Sequence, residues 1–272
     1  MKVHSLYFSP TLTTRKVADT IAQTIASELS LETEFHDVTT PAARADKISF
    51  CKDDIVVFGC PVYIGRVPNL IKPYLETIAG GGAAGVALVV YGNRNYDDAL
   101  AELHDLMVAG GFRCVGAAAF IGEHSFSAVL GGGRPDMHDL EKASDFGRAV
   151  AAKLAAGNGA AAVIEPGLIP GNRPARFFKA VDDDGRPFDI RKVKPVTDMS
   201  KCTGCGICAE LCPMGSISRE DFSSVSGICI KCGACVKRCP GSAKSFTDPE
   251  FLRHLNILER DFSSRREPSV FL

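Results

Sequence analysis

Residues 202–239 carry one spacing twice. The first run is Cys202-Thr-Gly-Cys205-Gly-Ile-Cys208-Ala-Glu-Leu-Cys212-Pro213; 27 residues on comes Cys229-Ile-Lys-Cys232-Gly-Ala-Cys235-Val-Lys-Arg-Cys239-Pro240. Eight of the 11 cysteines lie in these runs, each of which reads C-x2-C-x2-C-x3-C-P. A segment this short, with few apolar residues, is near the lower limit for a self-sufficient core, and metal ligation supplies what its side chains cannot. Dense, regular cysteines in a chain without an export signal point to metal binding in preference to disulfides. Structural zinc also uses C-x2-C pairs, but it needs four ligands and gives no reason for three x2-spaced cysteines followed by x3-Cys-Pro, twice. Three closely spaced thiolates hold three irons of a cubane, and the fourth ligand comes from the other run. The spacing predicts two [4Fe–4S] clusters, one on Cys202, Cys205, Cys208 and Cys239, the other on Cys229, Cys232, Cys235 and Cys212.

The preceding residues follow a different pattern. Strand-like runs at 3–8, 33–38, 54–60, 86–91 and 113–121 alternate with helix-like runs at 13–29, 69–78, 97–109 and 137–156. Five such strands predict a mainly parallel sheet covered on both faces, with ligands bound beyond the carboxyl ends of the strands. Residues 159–195 are rich in glycine, proline and charge and read as a linker lying across the first unit without forming core. The predicted organisation is therefore an α/β unit over 1–158, a linker over 159–195, a Cys-rich unit over 196–245 and a tail over 246–272 with a helix around 249–259.

Charge and hydropathy exclude two classes of partner. The formal net charge is −1, without the basic excess of a nucleic-acid binder. No run of about 18 apolar residues is available to span a membrane. The first residues lack the apolar stretch and cleavage site of a signal peptide, so the expected location is cytoplasmic.

Three loops follow the strands at the ligand end. Ser9-Pro-Thr11-Leu12-Thr13-Thr14 enters the first helix, where hydroxyls and backbone N–H groups receive a phosphate or simply cap the helix. No P-loop lysine is present, which argues against triphosphate hydrolysis. The second loop contains Pro61, Val62, Tyr63, Ile64 and Gly65, and the third contains Gly92, Asn93, Arg94 and Tyr96. Together they resemble the three flavin-binding loops of flavodoxins, and the Cys-rich segment resembles bacterial-type ferredoxins with two [4Fe–4S] clusters. The whole chain resembles flavodoxin–ferredoxin fusion proteins. That resemblance implies a five-stranded parallel flavodoxin-like sheet followed by a small α+β ferredoxin unit. It implies FMN with its phosphate on Ser9, Thr11, Leu12, Thr13 and Thr14 and its ring flanked by residues 61–65 and 92–96. The sequence departs from flavodoxins at Leu12, where glycine is usual, and has no tryptophan to stack on the ring, leaving Tyr63 or Tyr96.

The function expected is low-potential electron transfer between the clusters and FMN, exchanged with a ferredoxin-type donor or an acceptor oxidoreductase. Alternatives are an FMN-dependent reductase of a small molecule fed by the clusters, and a flavin-free iron–sulfur sensor or docking protein. Glu123-His124-Ser125 reads as polar lining of the ligand end, and Cys51, Cys60 and Cys114 as core thiols. The literal G-x-G-x-x-G at 80–85 precedes a strand, so the dinucleotide context fails.

Overall fold

The fold is described from a computed structural model covering residues 1–157 and 163–272. Four strands open the chain, three of them followed by a helix: β1 (Val3–Tyr7) and α1 (Thr13–Leu29), β2 (Thr33–Asp37) alone, β3 (Ile55–Pro61) and α2 (Lys72–Leu75), and β4 (Ala84–Tyr91) and α3 (Ala99–Ala109). They are followed by β5 (Arg113–Ile121) and α4 (Met137–Ala156). These five strands are parallel in the order β2-β1-β3-β4-β5, the doubly wound order of flavodoxin.

Pleating explains why the central strands read as unbroken apolar runs. Alternate residues serve two cores: Leu6, Phe8, Phe58 and Val89 meet Leu103 and Met107 of α3, while Tyr7, Val57 and Leu88 meet Ile21 of α1 and Phe146 of α4. Helix α1 lays Val17, Ile21 and Ile25 on the sheet at helical spacing and stops at Ser30, which is left-handed at φ 54°.

The expected helix over 69–78 shrinks to Lys72–Leu75. Ala79 leaves the helical path because its N–H donates to Ile48 O (3.1 Å) and its carbonyl accepts from Phe50 N (2.9 Å), so pairing with residues 48–50 replaces the last turn. The stretch expected to be a linker without core does contribute core. Ile164 donates its N–H to Cys114 O (2.8 Å), and Ile164 and Ile169 are buried in the α3-side core. Further along, Asp98 accepts from the backbone N–H groups of Asn172 and Arg176 (both 2.8 Å), tying this strap over the start of α3.

The Cys-rich head contains β6 (Val196–Thr197), α5 (Ile207–Glu210), α6 (Ala234–Lys237) and β7 (Lys244–Ser245), with β6 and β7 antiparallel. Next, α7 (Pro249–Phe262) is capped by Asp248, whose carboxylate accepts from Phe251 N at 3.0 Å. Then β8 (Ser269–Phe271) returns to the first sheet and pairs antiparallel with β5, Ala118 opposite Val270. The five parallel strands thus gain a sixth, antiparallel member. Three residues are too short a run for periodicity to reveal.

Among the described residues, no helix is long and apolar enough to cross a membrane.

Candidate functional site

The cysteines line two cavities. One is bordered by Cys202, Cys205, Cys208 and Cys239, the other by Cys212, Cys229, Cys232 and Cys235. The fourth cysteine of each run thus borders the cavity of the other. The two runs match locally as well: Ser216 N–H donates to Cys212 Sγ and Ala243 N–H to Cys239 Sγ, each at 3.3 Å. Donors of this kind stabilise thiolate charge and tune the potential of an iron–sulfur centre. Burial pushes the Cys235 thiol up to about 12 and raises Cys232 as well, so thiolates there need a cation beside them. Four sulfurs around one space, with N–H donors and a buried setting, form a donor set that fits an iron–sulfur cluster.

The two cavities differ in surroundings. Cys205 is exposed, whereas Cys232 is buried. The inner side of the head faces the carboxyl ends of the strands. Gly233 is left-handed at φ 73°, and a Cβ there would stand 2.4 Å from Ser125 O, so only glycine permits this approach. Lys237 reaches the loop after β5, pairing with the Glu123 carboxylate and donating to Ser127 O at 2.7 Å. On the other flank Arg44 Nη2 donates to Pro213 O at 2.5 Å. Tyr63 is packed between: burial holds its hydroxyl well above the usual value, with Cys232, Cys60 and Cys229 as the nearby thiols. Tyr63 of the second loop packs against the α3-side core, as do Met214 and Ile230, which line the cavity of Cys212, Cys229, Cys232 and Cys235.

The first loop keeps its turn despite its leucine. Leu12 sits at φ 70° at the cap of α1, offers no capping side chain, and no acidic residue occupies the first turn. A left-handed leucine costs on the order of 1 kcal/mol, strain of the sort that collects at binding loops. Ser9 Oγ accepts from Arg15 N at 2.9 Å, and Thr11 Oγ1 lies 3.5 Å from Thr13 Oγ1, with Thr14 buried behind them. A helix N-terminus without a charged cap, with the hydroxyls of Ser9, Thr11 and Thr13 close by, fits the phosphate end of FMN.

The second and third loops are more crowded. The loops of Pro61–Gly65 and Gly92–Tyr96 meet: a Cβ on Gly65 would stand 2.6 Å from Asp97 Oδ2, and Asp98 N–H donates to Gly65 O at 3.0 Å. Phe178 of the strap donates its N–H to Ile64 O (2.9 Å) and takes the Arg94 guanidinium over its ring at 3.6 Å. Asn93 donates to Phe262 O (2.7 Å) and Ser264 O (2.9 Å) and accepts from Arg266 N (3.3 Å). Tyr96 packs against Tyr91 with ring centroids 5.6 Å apart. The structure brings the second and third loops together and roofs them with the strap, expected to lie across this unit, and with the C-terminal tail, which was not.

Of Glu123, His124 and Ser125, expected as polar lining of the ligand end, Glu123 and Ser125 lie under the head, at Lys237 and Gly233. Cys60 and Cys114 are core thiols, but Cys51 is exposed, because residues 51–54 form a turn ahead of β3, where Asp54 N–H donates to Cys51 O at 2.9 Å.

Acid is expected to loosen the loop after β5. His124 Nδ1 accepts from Phe126 N at 3.1 Å, a role only the neutral ring can fill. Burial, with His254, Lys237 and Arg94 nearby, pushes its pKa down to about 3. An unfolded histidine titrates near 6.5. The unfolded chain therefore binds the extra proton between about pH 6.5 and 3, so this contribution is complete above 6.5 and lost as pH falls. Because the ring keeps some solvent contact, the expected loss from pH 7.5 to 5 is on the order of 1–2 kcal/mol. Urea unfolding at the two pH values should show a flatter dependence for His124→Asn; an unchanged slope would place the acid sensitivity elsewhere.

A family model described as a 4Fe-4S binding domain matches residues 195–218. No curated protein matches the chain. Among solved structures the chain is similar to a flavodoxin from the domain Archaea, at 15% identity, covering 57% of this chain and 99% of that one with a TM-score of 0.41. A flavodoxin 2 from Bacillus cereus gives 17% identity, 56% and 99% coverage and a TM-score of 0.41. A rubredoxin–oxygen oxidoreductase from Desulfovibrio gigas gives 18%, 58% and 37% coverage, and a TM-score of 0.41. By strand order and by the matched segment, the chain joins a flavodoxin-like α/β sheet to a 4Fe-4S binding region.

Proposed function

We propose that the chain is an electron-transfer protein holding two [4Fe–4S] clusters and FMN. Cys202, Cys205, Cys208 and Cys239 hold the outer cluster, and Cys212, Cys229, Cys232 and Cys235 the inner one. Ser9, Thr11, Thr13, Thr14 and the Leu12 turn hold the phosphate of FMN, with residues 61–65 and 92–96 beside its ring. When bound, the clusters supply one-electron exchange and the flavin one- or two-electron exchange. The observation that carries this reading is the seating of the Cys-rich head on the strand ends, where Lys237 pairs with Glu123 and Gly233 approaches Ser125 O. Lys237 and Arg44 set the head's position, Ser216 and Ala243 donate N–H groups to sulfur, and the Cys205 side remains open to a redox partner protein.

A flavin-free reading is favoured by one specific observation, the closure of the ring end by Asn93 and the strap. The head then docks on an α/β unit that serves as a sensor or partner platform.

Iron, sulfide and flavin content of anaerobically purified protein, with spectra before and after reduction, separates the two. About eight irons and about one FMN per chain support the relay. Full iron without flavin, even after incubation with FMN, removes the flavin step and leaves the docked ferredoxin unit. About four irons would overturn the two-cluster assignment.

A further inference from the structure

At the amino ends of the strands, remote from the clusters, three metal-ligating side chains converge. His4 on β1 lies opposite Glu34 on β2, and Leu6 opposite His36, so pleating puts His4, Glu34 and His36 on one face. His4 Nδ1 is 3.0 Å from His36 Nε2 and 4.0 Å from Glu34 Oε2, and His36 Nε2 is 3.7 Å from Glu34 Oε1. Around zinc at about 2.0–2.1 Å, tetrahedral ligands stand about 3.3 Å apart. The three separations bracket that value.

The surroundings are those of a built site. His4 Nε2 is buried and has no hydrogen-bond partner. It stands 3.6 Å from Asp54 Oδ2, which accepts from Cys51 N at 3.0 Å, so the carboxylate faces it by charge and not through a hydrogen bond. A carboxylate behind a histidine places the proton on the nitrogen facing it and leaves the other nitrogen's lone pair for a metal. That second nitrogen is Nδ1, the one facing His36 and Glu34. Phe50 walls the group, with ring centroids 4.9 Å from His4 and 5.7 Å from His36. Glu34 is half-exposed and otherwise occupied by Lys2, an exposed partner that a divalent cation displaces.

We propose that His4, Glu34 and His36 bind one divalent cation of the zinc class, with Asp54 orienting His4 and solvent completing the coordination. Two imidazoles and a carboxylate select zinc over magnesium or calcium, which prefer all-oxygen sites. Bound there, the ion clamps edge strand β2 to β1.

The test uses untagged, cluster-loaded protein, so that the eight cysteines of the two runs are already engaged, in a Cys51→Ser background that removes the exposed thiol. After anaerobic dialysis against buffered micromolar zinc, elemental analysis should find one zinc per chain with iron unchanged. His36→Gln should weaken zinc binding at least about tenfold, and Asp54→Asn, outside the ligand set, about tenfold. Glu34→Gln, at a half-exposed edge position, serves where His36→Gln fails to retain its iron. Zinc uptake that is absent, equally strong in His36→Gln or Glu34→Gln, or accompanied by iron loss would overturn the site.

Discussion

Cys212→Ala should cost the protein the cluster that its own run does not build. In the arrangement of sulfurs around the two cavities, Cys212 belongs with Cys229, Cys232 and Cys235, and Cys239 with Cys202, Cys205 and Cys208. Iron should fall from about eight to about four per chain. Pairwise replacement turns this into a sharper measurement. Cys205→Ala with Cys239→Ala damages one cavity twice and should leave about four irons, whereas Cys205→Ala with Cys212→Ala damages both and should leave almost none. The opposite pattern, about four irons for the Cys205/Cys212 pair, would mean that each run completes its own cluster. Loss of a cluster should also loosen the head, because metal ligation supplies folding free energy in a segment with so small a core. Proteolysis of the single variants, followed at the head, would register that loosening independently of iron content.

Asp139→Ala should destabilise the α/β unit by about 3–5 kcal/mol. Asp139 is fully buried and Arg134 nearly so, at 0% and 5% side-chain exposure. The carboxylate takes Arg134 Nε at 2.8 Å and Asp136 N at 3.0 Å, while Asp136 accepts from Asp139 N at 3.0 Å. Removing it strands a buried guanidinium and opens the capping box of α4 at once. The damage should reach the C-terminal tail, since Arg134 Nη1 donates to Arg266 O at 2.8 Å. Denaturant unfolding measures the loss, and a cost below about 1 kcal/mol would show that water reaches Arg134 freely. Replacing both partners with leucine should recover much of the stability, because two apolar side chains leave no charge to solvate.

What could be read from the sequence follows the range of the signal. Strands β3, β4 and β5 stand out because burial on both faces demands apolar residues at successive positions. The cysteine spacing is equally local. The contacts that assemble the site are not local. Lys237 and Glu123 are 114 residues apart, and neither neighbourhood announces the other. Asn93 looks like an ordinary turn residue until Phe262 and Ser264 arrive beside it. Ile164 and Ile169 were masked by the prolines and glycines around them, which set the path of the strap without preventing two side chains from entering the core. Leu12 departs from the glycine usual in flavodoxin loops, yet its backbone takes the glycine-like conformation, so the turn survives the substitution at the expense of strain.

The return of β8 to the first sheet makes the Cys-rich head an inset, not a pendant. It is suspended from β5 on one side through α4 and the strap, and on the other through α7 and β8. A pendant head on one tether can tumble and offer either pole to a visitor. Suspension at two points removes that rotation: the pole carrying Cys205 faces outward and the pole carrying Cys232 faces the sheet. In the proposed relay the pathway therefore has a built-in polarity. A redox partner of that relay would meet the same terminal each time, at an encounter rate governed by one pole of the head and not by an average over its surface.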